Sequence, residues 1–218
     1  MSQDIQQSPA STSSSPLRLA VLVSGSGSNL QALIDAIASE QLPHTRIVLV
    51  VSNRAEAAGL QRALKHKIPA MYLPWSKRRE ESEAKLQALL ELFQVDLIVL
   101  AGFMKIFNAE FITRHPERII NLHPALLPDD GGSTYTASDG TVIPAFRGAH
   151  VVRDALQAGV TVTGASVHYV IPEVDAGPVI CREEVQIAAG DTEDTLHERI
   201  KAVEHRLIVE AVRAYQRR

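Results

Sequence analysis

Asn121 and His123 stand two residues apart in RIINLHPALLP, the stretch from Arg118 to Pro128. The apolar run Ile119-Ile120 reads as a buried strand, and the two polar side chains sit where it leaves the sheet. In open parallel sheets, ligands bind beyond the carboxyl ends of strands. On an extended backbone, positions i and i+2 point to one side. Asn121 offers an amide donor and acceptor, and His123 changes protonation near neutral pH. Pro124 removes a backbone donor and blocks a following helix. The pattern suits a site that donates hydrogen bonds and moves a proton. It equally suits a strand end with two solvated polar residues.

Three further stretches carry chemistry. Ser24-Gly25-Ser26-Gly27-Ser28-Asn29 lies between an apolar run and a helical pattern. Small residues let the backbone approach a ligand, and a helix N-terminus offers free N–H groups to an anion. This is a candidate phosphate or carboxylate site, with a tight capped turn as the alternative. It is not the dinucleotide fingerprint, because G-x-G is followed by Ser-Asn, and no G-K-[ST] follows. His168 lies inside an apolar strand, and Asp175 in the irregular link IPEVDAG. His168 is either a core or sheet-face histidine or part of a site. Asp175 is either solvated or, if beside His123, would favour the imidazolium and raise its pKa. That would poise a general acid near neutrality. Gly102, Phe103 and Met104 follow the DLIVL run and either line an apolar slot or pack under the next helix.

These residues need elements to position them. Apolar runs at 17–25, 45–53, 96–103 and 118–121 read as buried strands, with a short strand in IPAMYLP. Helical periodicity falls at 29–39, 55–66 and 76–93. Strands that are continuously apolar and alternate with helices indicate an α/β fold, an open, mostly parallel, doubly wound sheet. After Pro128 the pattern changes. Residues 129–147 form a long loop with a hairpin turn expected near Ser138-Asp139-Gly140. A helix over 149–158, strands TGASVHYV and PVICREEVQI, and a closing helix from Asp191 to near Tyr215 complete the chain. An antiparallel strand is expected in this C-terminal part.

The 218 residues suffice for one domain, and 45% hydrophobic content makes it globular. A net charge of −3 argues against a nucleic-acid binder. The single cysteine, Cys181, excludes an intramolecular disulfide and a Cys-rich zinc site, and reads as a core thiol. No run approaches the roughly 20 apolar residues of a membrane span. Residues 1–16, rich in Ser, Gln and Pro, read as a disordered tail without the pattern of a secretory signal. The folded domain is expected over 17–218, in a cytoplasmic protein.

Taken together, VLVSGSGSNLQALID (21–35), VSNRAEAAGLQRA (51–63), VLAGFMKIF (99–107), INLHPALLP (120–128), SVHYVIPEVDAGPVI (166–180) and DTEDTLHERIKAVEH (191–205) resemble the phosphoribosylglycinamide formyltransferases. These are the folate-dependent transformylases of glycinamide ribonucleotide in purine synthesis. The resemblance runs from Leu17 to nearly the end. It implies a catalytic set of Asn121, His123 and Asp175. It implies that Gly27, Ser28 and Asn29 hold the ribonucleotide phosphate and its neighbourhood, with Lys201 and Glu204 on the same substrate. It assigns Arg79, Met104, Lys105, Ile106 and Phe107 to the folate, with Asn121 and the link Ile171, Pro172, Glu173, Val174 and Asp175. The co-substrate implied is 10-formyltetrahydrofolate, with no metal, since hydrogen-bond donors and proton transfer handle the charge. The implied assembly is a monomer or homodimer.

One departure stands out. In the family, LLP is followed by a short stretch to a glycine and a helix. Here Asp129 to Arg147 intervenes before Gly148 and His150 resume the pattern. The loop is expected to be a mobile lid or an oligomer contact. Competing readings are a formyltetrahydrofolate hydrolase, expected to carry an N-terminal regulatory domain, and a methionyl-tRNA formyltransferase, expected to add an RNA-binding domain. A non-catalytic nucleotide- or folate-binding module would not need a proton-transfer set. A nicotinamide dehydrogenase would want the third glycine.

Overall fold

Strands that are apolar on both faces need cover on both, and two separate layers supply it. The computed structural model describes residues 15–218, so the tail expected over 1–16 lies outside the described residues except for Ser15 and Pro16. Nine strands are β1 (Leu17–Val23), β2 (Thr45–Ser52), β3 (Ala70–Tyr72), β4 (Leu97–Leu100), β5 (Ile119–His123), β6 (Thr134–Thr136), β7 (Val142–Pro144), β8 (Val162–Tyr169) and β9 (Val179–Gln186). Six helices are α1 (Ser28–Ala38), α2 (Ala58–Lys65), α3 (Arg79–Leu92), α4 (Ala109–Thr113), α5 (Val151–Gln157) and α6 (Glu193–Gln216). The main sheet runs β3-β2-β1-β4-β5-β8-β9. Strands β1 to β5 are parallel; β8 runs antiparallel to β5, and β9 antiparallel to β8.

Alternation along each strand sorts the core into its two layers. Leu19, Val21 and Val23 of β1 pack with Leu97 and Val99 of β4 against α1, α2, α5 and α6. Ala20 and Leu22 pack with Ile98 and Leu100 against α3 and α4. In β5, Ile120 and Leu122 join the first layer and Ile119 the second. Parity therefore turns Asn121 and His123 to the face of Ile119. In β8, Ala165 and Val167 belong to the first layer, so Ser166 and His168 share the face of Asn121. The strand order reverses between β1 and β4, and a crevice opens there at their carboxyl ends.

Boundaries differ from the sequence pattern where side chains compete with helix. α3 begins at Arg79, not Ser76, because Ser76 Oγ accepts from Arg78 N and the Ser76 N–H donates to Ser82 Oγ. β5 extends through His123 because its partner β8 continues beside it. The short α4 carries no periodic signal of its own.

The stretch 129–147 contains the expected hairpin, β6 and β7. It is docked. Ala137 and Ile143 are buried with Leu126 and Val162 in a small core of their own. Glu184 of β9 accepts from Ser138 N at 2.7 Å, Ser138 Oγ at 2.6 Å and Tyr135 Oη at 3.1 Å. Arg182 donates to Asp129 Oδ1 and to Leu127 O. The hairpin thus packs against β8 and β9. Removing the Glu184 carboxylate by Glu184→Ala is expected to cost about 1 kcal/mol of local stability. Limited proteolysis between Asp130 and Pro144 then speeds up severalfold while the domain melts nearly as before. Unchanged cleavage would show that Glu184 does not hold the hairpin.

Candidate active site

A cleft of about 460 Å³ opens along the carboxyl ends of β1, β4 and β5. Its walls are the turn Gly25–Asn29, the segment Leu100–Phe107, the β5 exit to Pro124, the link Val170–Asp175, and one face of α6.

At one end is the glycine turn. Gly27 has φ +70°, and a Cβ there would lie 2.6 Å from Gly59 Cα, so only glycine fits between α1 and α2. Gly59 N donates to Gly25 O at 3.0 Å, and Arg62 Nε to Ser26 O at 2.8 Å. No side chain caps α1, so its first amides remain available to an anion. Asn29 is buried; its Nδ2 donates to Glu204 Oε2 at 3.1 Å, and its Oδ1 has no partner. His197, Lys201 and Glu204 line the cleft from α6, at the 4-then-3 spacing of one helix face.

At the centre, Asn121, His123 and Asp175 come together, with His168 as a fourth member. His123 is 3% exposed. Its Nδ1 lies 3.6 Å from Asp175 Oδ2, and its Nε2 donates to Phe146 O at 2.8 Å. His168 stands opposite Asn121 in the β5–β8 register. Its Nδ1 donates to Tyr169 O, and its Nε2 lies 3.1 Å from Asn121 Nδ2 and 3.5 Å from Asp175 Oδ1. Asn121 Nδ2 also reaches Asp175 Oδ1 at 3.4 Å. Asp175 has φ +50°, a left-handed backbone uncommon outside glycine. Gly148 N donates to its Oδ2 at 2.9 Å.

The electrostatics differ from what the sequence suggests for His123. Burial pushes the imidazole below its ordinary value, and the pull of Asp175 and of the Phe146 carbonyl does not recover it. His123 is therefore neutral in the free protein at pH 7. Burial also opposes ionisation of Asp175, but His168, His123 and the Gly148 amide outweigh it and hold the carboxyl at about 2.

At the other end the wall is apolar. Met104 (54% exposed) and Ile106 (55%) face Val174 (46%) across the mouth. Phe103 and Phe107 lie buried beneath, with Trp75 edge-on to both. Ser24 Oγ accepts from Met104 N at 2.8 Å and so ties this segment to the end of β1. Lys105, Ile171, Pro172 and Glu173 also line the wall. Arg79 does not; its guanidinium donates to Asn108 Oδ1 at 3.2 Å, just past Phe107.

Residues 17–138 and 139–212 match the family described as "Formyl transferase". The chain belongs to the formyl transferase family. Among relatives of that kind, the human "Trifunctional purine biosynthetic protein adenosine-3" is 40% identical over 197 residues. The match covers 89% of this chain and 18% of that protein, so the chain spans only a small part of such trifunctional relatives. The "Phosphoribosylglycinamide formyltransferase" of Mycobacterium tuberculosis H37Rv is 38% identical over 201 residues, covering 92% of this chain and 86% of the relative. A crystal structure of glycinamide ribonucleotide transformylase 1 from Symbiobacterium toebii has a TM-score of 0.81 at 38% identity, covering 93% and 89% of the two chains.

Within this formyl transferase domain, four contributors carry no assigned role in the sequence. His168 was visible, but its place opposite Asn121 depends on strand register. The Phe146 carbonyl and Gly148 amide are backbone groups with no side-chain signal. His197 was legible in principle, since it shares the helical spacing of Lys201 and Glu204.

The Asp175 value gives a pH prediction. A carboxyl held below the roughly 3.9 of an unfolded chain contributes stability fully above that pH. The contribution, about 2 kcal/mol, fades as pH falls toward about 2. The unfolding free energy of wild type minus that of Asp175→Asn should therefore shrink between pH 5 and pH 2. A difference constant across that range would contradict the depressed value.

Proposed function

We propose that this chain transfers the formyl group of 10-formyltetrahydrofolate to the amine of glycinamide ribonucleotide. The observation that carries the reading is Asn121, His123 and Asp175 gathered between an anion-ready glycine turn and an apolar slot. The full-length bacterial relatives bear the corresponding name.

Each end of the cleft fits one substrate. The uncapped α1 amides at Gly27, Ser28 and Asn29 suit a phosphate. Glu204, fixed by Asn29, and Lys201 suit the sugar and amine portion. Met104, Ile106 and Val174, exposed without a packing partner, suit a flat aromatic ring system. Lys105, Phe107 and the link Ile171, Pro172, Glu173 complete that side. Arg79 would reach a folate tail only by releasing Asn108.

The reaction joins these ends. The substrate amine attacks the formyl carbon, and the carbonyl π pair moves to oxygen. Asn121 donates from Nδ2 to that oxygen, and His123 supplies a second N–H. In the free protein the Nε2 proton is held by the Phe146 carbonyl, so donation requires that bond to be exchanged. A proton arriving at Nδ1 meets the ionised Asp175, which stabilises the imidazolium. The ammonium proton of the tetrahedral intermediate leaves toward Asp175 through water. Collapse breaks the bond from carbon to the folate N10, which takes up, through water, the proton that the ammonium released, giving tetrahydrofolate and the formylated amide. Donors in a site shielded from water are worth more to a developing oxyanion than the same groups in bulk solvent.

Purified protein mixed with both substrates tests the reading by tetrahydrofolate release coupled to amine formylation. His123→Ala is expected to lose roughly 10²- to 10⁴-fold in kcat, and Asp175→Asn to lower the rate and shift its pH profile. Formate release without amine formylation points to a hydrolase. Unchanged rates in both variants would remove these residues from the chemistry.

A further inference from the structure

The inserted stretch touches the catalytic group at one side chain. Arg147, half-buried, closes the insertion and lines no part of the cleft. Its Nη2 donates to Gly131 O at 2.9 Å and to Gly132 O at 2.7 Å, at the start of the insertion. Its Nε donates to the backbone oxygen of Asp175 at 3.0 Å. One planar guanidinium thus binds three carbonyls from two segments. A fork of fixed donors does this, and a point-charge ammonium does not.

The carbonyl it holds belongs to a strained residue. Asp175 keeps a left-handed backbone without being glycine, and such conformations persist only where the surroundings over-determine them. The surroundings are specific here. Gly148, the next residue after Arg147, donates its N–H to the Asp175 carboxylate. Phe146, the residue before, accepts from His123. Gly131 approaches so closely that a Cβ would lie 3.0 Å from Ala176 O. The base of the docked hairpin therefore presses on the Asp175 turn from one side while Arg147 holds it from within.

We propose that Arg147 is a positioning residue that fastens the inserted hairpin to the Asp175 turn and so fixes that carboxylate against His123 and Asn121. The insertion acts through this guanidinium as a brace on the reaction centre. The kinetic consequence rests on the formyl-transfer reading above; the structural consequence does not.

The test compares Arg147→Ala and Arg147→Lys in the full chain. Hydrogen exchange at the Glu173–Gly177 amides should quicken at least tenfold in Arg147→Ala, with the amides of the Gly27 turn unchanged. In steady-state assays, kcat should fall about 10- to 100-fold, as a displacement of about 1 Å can produce, with KM for the ribonucleotide within about twofold. Arg147→Lys should keep the fold and recover only part of kcat, since it cannot bind all three carbonyls at the guanidinium's geometry. Unchanged exchange at Glu173–Gly177 overturns the proposal whatever the activity. Wild-type kcat in either variant overturns it too, as does a raised KM at unchanged kcat. Wild-type protein that fails to formylate the amine removes the functional reading, and the exchange result still decides the brace.

Discussion

The antiparallel pairing of β5 with β8 sets Asn121 against His168 and His123 against Ser166, and the side on which the reaction centre forms follows from that register. Side chains alternate along a strand, so a slip by one residue would send Asn121 and His123 into the layer of α1 and α6. Apolar partners on the opposite face resist that slip, because Ile120, Leu122, Ala165 and Val167 are fully or almost fully buried there. Ser166 adds a local lock. Its hydroxyl donates to Ala125 O and accepts from Leu127 N, holding the chain as it leaves Pro124. The link after β8 then folds back across the polar face. Gly177 permits this, since a Cβ there would lie 1.8 Å from Tyr169 O. Hydrophobic burial on one face of two strands thus positions the chemistry on the other.

The same burial sets the charge state. Two imidazoles and one carboxylate share a largely buried space, where burial pushes His123 toward its neutral form while hydrogen bonds and nearby charge outweigh burial at Asp175 and hold it ionised. His123 faces an acceptor at each ring nitrogen, so the site is shaped for an imidazolium that desolvation keeps from forming. Adding the second proton converts a lone buried anion into an ion pair. A site in that condition gains a positive donor when negative charge develops beside it, and returns to neutrality when that charge leaves.

Much of this arrangement was legible in the chain. Unbroken apolar runs gave the strands, their alternation with helices gave the parallel sheet, and Asn121-x-His123 at a strand end pointed to its carboxyl edge. The glycine turn between β1 and α1 marked the anion end by the same logic. What the sequence concealed depends on partners distant along the chain. His168 reads equally as a core histidine or a site member until its register with Asn121 is known. The depressed basicity of His123 comes from burial by segments far from it in sequence, and nearness to Asp175 alone suggests the opposite direction. Arg79, which the resemblance assigns to the folate, donates to Asn108 at the start of α4. For both histidines the deciding neighbour lies far away along the chain.

The inserted hairpin shows how such a neighbour can be added to a working site. Lengthening a loop costs little closure entropy, but a two-stranded hairpin has almost no stability alone. It must therefore dock, and its surroundings offer both apolar and charged partners. Leu126 and Val162 cover Ala137 and Ile143, while Glu184 and Arg182 take the turn and the base. None of residues 129–147 lines the cleft, so the addition does not reshape the space for substrate. Its two ends must still return to the chain between Pro128 and Gly148, beside Asp175. An insertion at that point is either a source of slack next to a strained carboxylate or a means of removing slack. Three carbonyls on the Arg147 guanidinium place it in the second class.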